Sequence, residues 1–250
     1  MTSANPAIEL WLVDLEACAT ALEALERDTP RLADDDRERA DTIGDPRERR
    51  HRLAAYTALR VLLERMVGAG VRGRPLVRSP GGKPRLGEGG VEFSLSHTEG
   101  LALIGVTRGL PIGVDLEKAR PVKMSARRQG EICAIGAGLG DRLLPSPGTD
   151  RAFLQAWARM EAFTKARARG LAQTLTDVGM RGKGRRRVPL DQLQVAARRL
   201  ACDAGLTVRD VGLPPGLYGA LAAPRATPSA RARALPADRA GLERLLTQQP

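Results

Sequence analysis

What most constrains this chain is an order of elements that comes round twice: a long amphipathic helix, then short strands. The first helix is read over Arg47–Val67. Asp45-Pro46 supplies a capping carboxylate and a proline suited to a first turn. Leu53, Tyr56, Leu59, Leu63 and Met66 recur at spacings of three and four, while Arg49, Arg50, Arg52 and Arg60 make the other face basic. Strands are read at Val91–Leu95, Leu101–Thr107 and Ile112–Glu117, the last two as a hairpin about Arg108–Pro111. The second helix, Arg151–Arg169, precedes short strands near Gln192–Val195, Thr207–Val211 and Tyr218–Ala222. A strand at Ile8–Leu15 and a helix at Leu15–Arg27 open the chain. Such an order predicts an α+β fold of two similar lobes, each a long helix packed on a small antiparallel sheet. The boundaries fall at 1–110 and 111–223. Residues 224–250, rich in Ala, Pro and Arg, read as a flexible tail.

Between these elements, Ser125–Asp150 reads as irregular, with five Gly and two Pro. Only seven of the 250 residues are aromatic. The core must therefore come from Leu, Val and Ala, and recognition of nucleic acid by base stacking is disfavoured. Forty basic residues against 29 acidic give a net charge of +11, which attracts polyanions. A nucleic acid, a phosphorylated small molecule or an acidic protein would each fit; the basic Gly-rich run at residues 181–187 leaves the first open. The three Cys are far apart and form no C-x-x-C, against a disulfide framework or zinc site. Neither a signal peptide nor a membrane-spanning run is read, so a cytoplasmic monomer is expected.

Three places could carry chemistry. In Ile112–Glu117 the apolar residues alternate with Gly113, Asp115 and Glu117, so two carboxylates sit about 7 Å apart on one strand face. That face is either a site for a hard divalent cation or simply solvated. If the hairpin forms, Ser96 and His97 approach the pair. On the second helix, Phe153, Leu154, Trp157, Met160 and Phe163 form an apolar face from which Glu161 projects, with Lys165 one turn on. A carboxylate there is a metal ligand, a general base or half of a local ion pair. Finally, Lys83 sits in a Gly-Gly-Lys-Pro turn shaped to hold a phosphate.

Gly82-Lys83-Pro84, Phe93–Thr98, Pro111–Glu117 and Trp157–Lys165 stand in an order and spacing that resemble the 4′-phosphopantetheinyl transferases of the larger, two-lobed branch that activates surfactin synthetase. The resemblance implies that fold, described as pseudo-dimeric. It implies Mg²⁺-dependent transfer of the phosphopantetheine arm of coenzyme A to a serine of an acyl or peptidyl carrier protein, releasing 3′,5′-ADP. It also implies roles. Asp115, Glu117 and Glu161 fall on the Mg²⁺ ligands; a serine hydroxyl also needs a base, and Glu161, directly or through a metal-bound water, is the candidate. Lys83, Ser96 and His97 fall where coenzyme A phosphates are held, and Lys165 contacts the phosphoryl region. Tyr56 stands where the family usually carries an Arg or His toward the 3′-phosphate; Arg52, or Arg49, would substitute. Fatty-acid, polyketide or nonribosomal peptide synthesis would be served. A coenzyme A-binding relative without turnover, or a basic nucleic-acid-binding protein, are the alternatives.

Overall fold

The computed structural model describes residues 8–87, 90–145, 148–180, 188–227 and 230–248. In chain order the first half holds β1 (Glu9–Asp14), α1 (Leu15–Asp28), α2 (Asp34–Asp41), α3 (Pro46–Val67), β2 (Val77–Arg78), β3 (Pro84–Arg85), β4 (Val91–Thr98) and β5 (Leu101–Arg108). The second half holds β6 (Gly113–Lys118), α4 (Ala126–Leu139), α5 (Asp150–Ala166), α6 (Leu171–Asp177), α7 (Leu190–Asp203), β7 (Leu206–Val211) and β8 (Leu217–Pro224), followed by β9 (Ala232–Ala234) and α8 (Arg239–Thr247). This is a mixed helix-and-sheet architecture built on two small sheets.

The first sheet runs β4-β5-β1-β9 and the second β6-β8-β7; β2 and β3 make a separate ribbon. β4 and β5 join through Glu99-Gly100, both at positive φ, the two-residue hairpin loop whose twist suits antiparallel strands. One apolar core gathers α1, α3 and α8 on the first sheet, with Val13, Leu22, Leu59, Leu62 and Ile104 at its centre. A second gathers α4, α5 and α7 beside β7 and β8, around Ile135, Ala158 and Phe163. Leu10, Leu103, Ile112, Val114, Leu116 and Leu221 fill the seam between the sheets. Buried ion pairs tie helices down. Arg60 on α3 donates to Asp36 on α2, and Arg159 on α5 donates to Asp210 at 2.7 Å and to the carbonyls of Gly136 and Arg142. Both arginines are essentially fully buried, and such paired charges hold only because every donor finds an acceptor.

Five sequence expectations are corrected. The Arg108–Pro111 loop is not a hairpin turn: β6 pairs with β8, not β5. The apolar side of β6 instead stacks across the seam, where a Cβ on Gly105 would lie 2.7 Å from Ile112. The run Arg78–Pro84 is too rich in turn residues to read as regular structure, yet it carries Lys83 in a hairpin, since β2 pairs with β3 around a tight turn closed by Gly82 at positive φ. Residues 126–139 are helical; their glycines admit neighbours rather than break the helix. A Cβ on Gly136 would lie 2.5 Å from Ala156 of α5, and one on Gly138 would lie 2.2 Å from the Gln194 carbonyl of α7. Gln192–Val195 lies inside α7. The expected tail is packed: β9 adds to β1 in parallel, and Leu235, Leu242 and Leu245 enter the first core. The basic run at 181–187 lies outside the described residues.

Candidate active site

The predicted residues gather where β4, β6 and α5 meet. β4 and β6 are the facing edges of the two sheets, and side chains rather than a backbone ladder join them. An edge strand must satisfy its backbone groups somehow. On β6 the Val114 N–H donates to Ser94 Oγ at 3.0 Å. The Ile112 carbonyl accepts from Lys83 Nζ at 2.7 Å, and the Val114 carbonyl from Lys165 Nζ at 3.2 Å.

Alternation on β6 is as the sequence predicts, yet the polar face is covered rather than solvated. α5 lies directly on it: a Cβ on Gly113 would sit 1.9 Å from the Ala162 carbonyl oxygen. Asp115 is 4% exposed. Its Oδ1 accepts from Lys165 Nζ at 2.6 Å and Ser96 Oγ at 2.7 Å. Its Oδ2 is buried without a hydrogen-bond partner among the described residues. Glu117 accepts from Arg120 at 2.8 Å. Burial, then repulsion from Asp115, pushes the Glu117 carboxyl above the usual range despite Arg120, and Glu161 pushes the same way. Burial also raises Glu161, with Asp115 adding to it and Lys165 opposing. The three carboxylates thus feel one another.

They do not stand as a ligand set in this arrangement. Among the described residues no three His, Cys, Asp or Glu side chains are close enough to hold a metal together. The cation against Asp115 is the Lys165 ammonium. In donor chemistry the group nevertheless fits Mg²⁺. It offers carboxylate oxygens only, one of them orphaned in the interior, and two carboxyls whose charge is disfavoured until a cation arrives.

Around this cluster the other candidates are placed unevenly. Lys83 lines a cavity of about 230 Å³ with Glu161, Lys165, Phe93, Leu95 and Arg169. Its ammonium is buried and also donates to Glu92 at 3.3 Å. Loss of water lowers its pKa, against the pull of Glu92. His97 keeps a solvent-facing edge; crowding by protein, then the charges of Arg52 and Lys165, lowers its pKa. Arg52 belongs to this cationic side. It donates to the Tyr56 hydroxyl at 3.4 Å, its Nε is buried without a partner among the described residues, and it stands near His97 rather than the carboxylates. Arg49 is turned away, onto the Ile43 carbonyl.

Sequence reading missed Glu92, because its pairing with Lys83 joins a turn to a separate strand and leaves no helical or strand spacing; it missed Arg120, only three residues beyond Glu117, because that residue lies past the end of β6, where strand alternation says nothing. It also missed why the Gly-Gly pair precedes Lys83. A Cβ on Gly81 would lie 2.1 Å from the Ala168 carbonyl, so only glycine lets this hairpin rest on the end of α5.

No family model matches the chain. Over 185 residues it is 29% identical to the 4′-phosphopantetheinyl transferase HetI of Nostoc sp., a match covering 69% of this chain and 73% of that protein. Over 182 residues it is 25% identical to slr0495 of Synechocystis sp., provisionally named for the same activity, covering 69% and 70%. Beside a basic cleft and a cluster of three carboxylates, the chain is therefore similar to proteins named as 4′-phosphopantetheinyl transferases.

Proposed function

We propose that this protein transfers the 4′-phosphopantetheine arm of coenzyme A to a serine of an acyl or peptidyl carrier protein. The observation that supports this most is the gathering of Asp115, Glu117, Glu161 and Lys165 at one sheet junction, in a chain similar to two proteins named for that activity, one of them provisionally. We read residues 1–110 and 111–223 as two lobes of related build, with the reaction at their junction.

In this reading Asp115, Glu117 and Glu161 hold Mg²⁺, which when bound neutralises diphosphate charge as a Lewis acid. Arg52, Lys83, Ser96 and His97 hold the phosphates of coenzyme A. His97 is suited to this because its lowered pKa leaves it neutral until an anion arrives beside it. Glu161 takes the proton of the carrier serine as its oxygen attacks phosphorus. Lys165, which lines the same cavity, would meet the charge that develops as the bond from phosphorus to the departing 3′,5′-ADP breaks. The net charge of +11 favours encounter with anionic coenzyme A and acidic carriers.

Intact-mass spectrometry of an apo carrier mixed with the protein, coenzyme A and Mg²⁺ tests this. The carrier gains one phosphopantetheine and 3′,5′-ADP is released; chelation of the metal stops the gain. A panel of apo carriers that all stay unmodified would overturn the reading.

A further inference from the structure

Asp115 presents its two oxygens to different surroundings. Oδ1 takes two donors, the Lys165 ammonium at 2.6 Å and the Ser96 hydroxyl at 2.7 Å. Oδ2 takes none among the described residues, although it is buried. A buried acceptor without a donor is disfavoured by roughly 1–3 kcal/mol. The nearby Glu117 and Glu161 offer no donor when ionised, and no other described residue donates to Oδ2; a cation or a water can fill that place. Meanwhile Arg120 holds Glu117. Among the described residues, three carboxylates are thus matched by two ammonium or guanidinium groups, leaving one negative charge. The cluster is nearly neutral before any metal binds. A divalent cation added to that arrangement would leave an excess of positive charge, unless an anion came with it or Lys165 moved.

We propose that Lys165 is a resident counter-ion that holds the metal-free site closed, and that it leaves Asp115 when a divalent cation enters together with the coenzyme A diphosphate. This rests on the transferase reading. The diphosphate offers Lys165 oxygens to replace those of Asp115, and the incoming cation takes over Asp115. Each ligand thus removes an obstacle to the other, so the two bind cooperatively, and the coupling is reciprocal. The side chain is equipped for such a move. It is 28% exposed, lines the cavity, and lies on α5, whose backbone need not shift for the ammonium to swing.

The experiment is titration of the whole protein with Mn²⁺, which shares the oxygen preference of Mg²⁺. It is followed by calorimetry and by electron paramagnetic resonance, with and without coenzyme A and with no carrier present. In the unaltered protein Mn²⁺ alone binds weakly, and coenzyme A tightens it at least tenfold. K165M removes the competitor: Mn²⁺ alone binds at least tenfold more tightly, and the gain from coenzyme A shrinks. K165Q behaves as K165M, whereas K165R, which keeps the charge, stays close to the unaltered protein; circular dichroism checks that each is folded. A merely structural lysine predicts the opposite sign, a looser site once it is gone. The proposal fails if K165M and K165Q bind Mn²⁺ alone no better than the unaltered protein while Mn²⁺ still binds with coenzyme A. If Mn²⁺ binds in no arm, the transferase reading falls with it.

Discussion

Glu161 projects from an apolar helix face, and no hydrogen bond to its carboxylate is found among the described residues; its neighbours reach it through their charge alone. Replacing it with Gln keeps shape and removes both a negative charge and a base. E161Q should lose at least about a hundredfold in the rate of carrier modification, the usual size of acid–base and electrostatic effects, with an unchanged circular dichroism spectrum. A rate near normal removes Glu161 from the chemistry. Elsewhere a single carboxylate matters for stability instead. Glu64 accepts from Arg31 at 2.7 Å and from Arg72. Burial alone would push its carboxyl up, but the two guanidinium groups more than offset this and hold it below the ordinary 4.5. A carboxyl lowered on folding adds stability above its unfolded pKa, and that contribution is lost as pH falls through the folded one. At neutral pH the unaltered protein should therefore exceed E64Q by about 2 kcal/mol in urea unfolding. That gap should close as pH drops below the ordinary carboxylate range; a gap independent of pH would show that the pair contributes nothing through charge.

The elements differ in how plainly the sequence announces them. α3 and α5 are legible because each carries a long 3.6-residue apolar period between an N-capping Asp or Thr and a clear end. The β6 alternation is legible too, and it placed Asp115 and Glu117 on one face. What alternation cannot say is what covers a face; α5 does so because Gly113 admits its backbone. G113V should therefore act at a distance. It should push α5 from the sheet, lower the melting temperature, and abolish carrier modification by moving Glu161 and Lys165 together. A variant with full activity would show that the helix does not rest on that glycine. α4 was hidden for the converse reason. Its glycines read as breakers in isolation, whereas close packing against α5 and α7 requires them. The β5–β6 pairing failed because a short loop between two strands is compatible with a hairpin or with a crossing to a second sheet, and only the partner β8 decides.

At the scale of the whole molecule, the compositional reading of the last residues was the least informative. Ala, Pro and Arg describe a mobile tail as well as a strand and helix with few apolar contacts. Three leucines, Leu235, Leu242 and Leu245, decide between them by entering the first core. The segment also covers Cys18, whose thiol lies 3.8 Å from the Pro236 carbonyl and is pushed up to about 11 by burial and by Asp14. In the intact native protein a thiol reagent should therefore modify the exposed Cys202 and spare Cys18. A chain ending at Ala223 should expose Cys18 to rapid labelling and unfold without a cooperative transition; slow labelling and a normal melt would restore the tail as dispensable. Since β1 lies between β5 and β9, a strand made long after it, a nascent polypeptide leaving the ribosome has to keep that edge soluble until β9 has emerged. Early termination would then yield a product with an unpaired strand and an open apolar face, a substrate for chaperones and proteases rather than a smaller working enzyme.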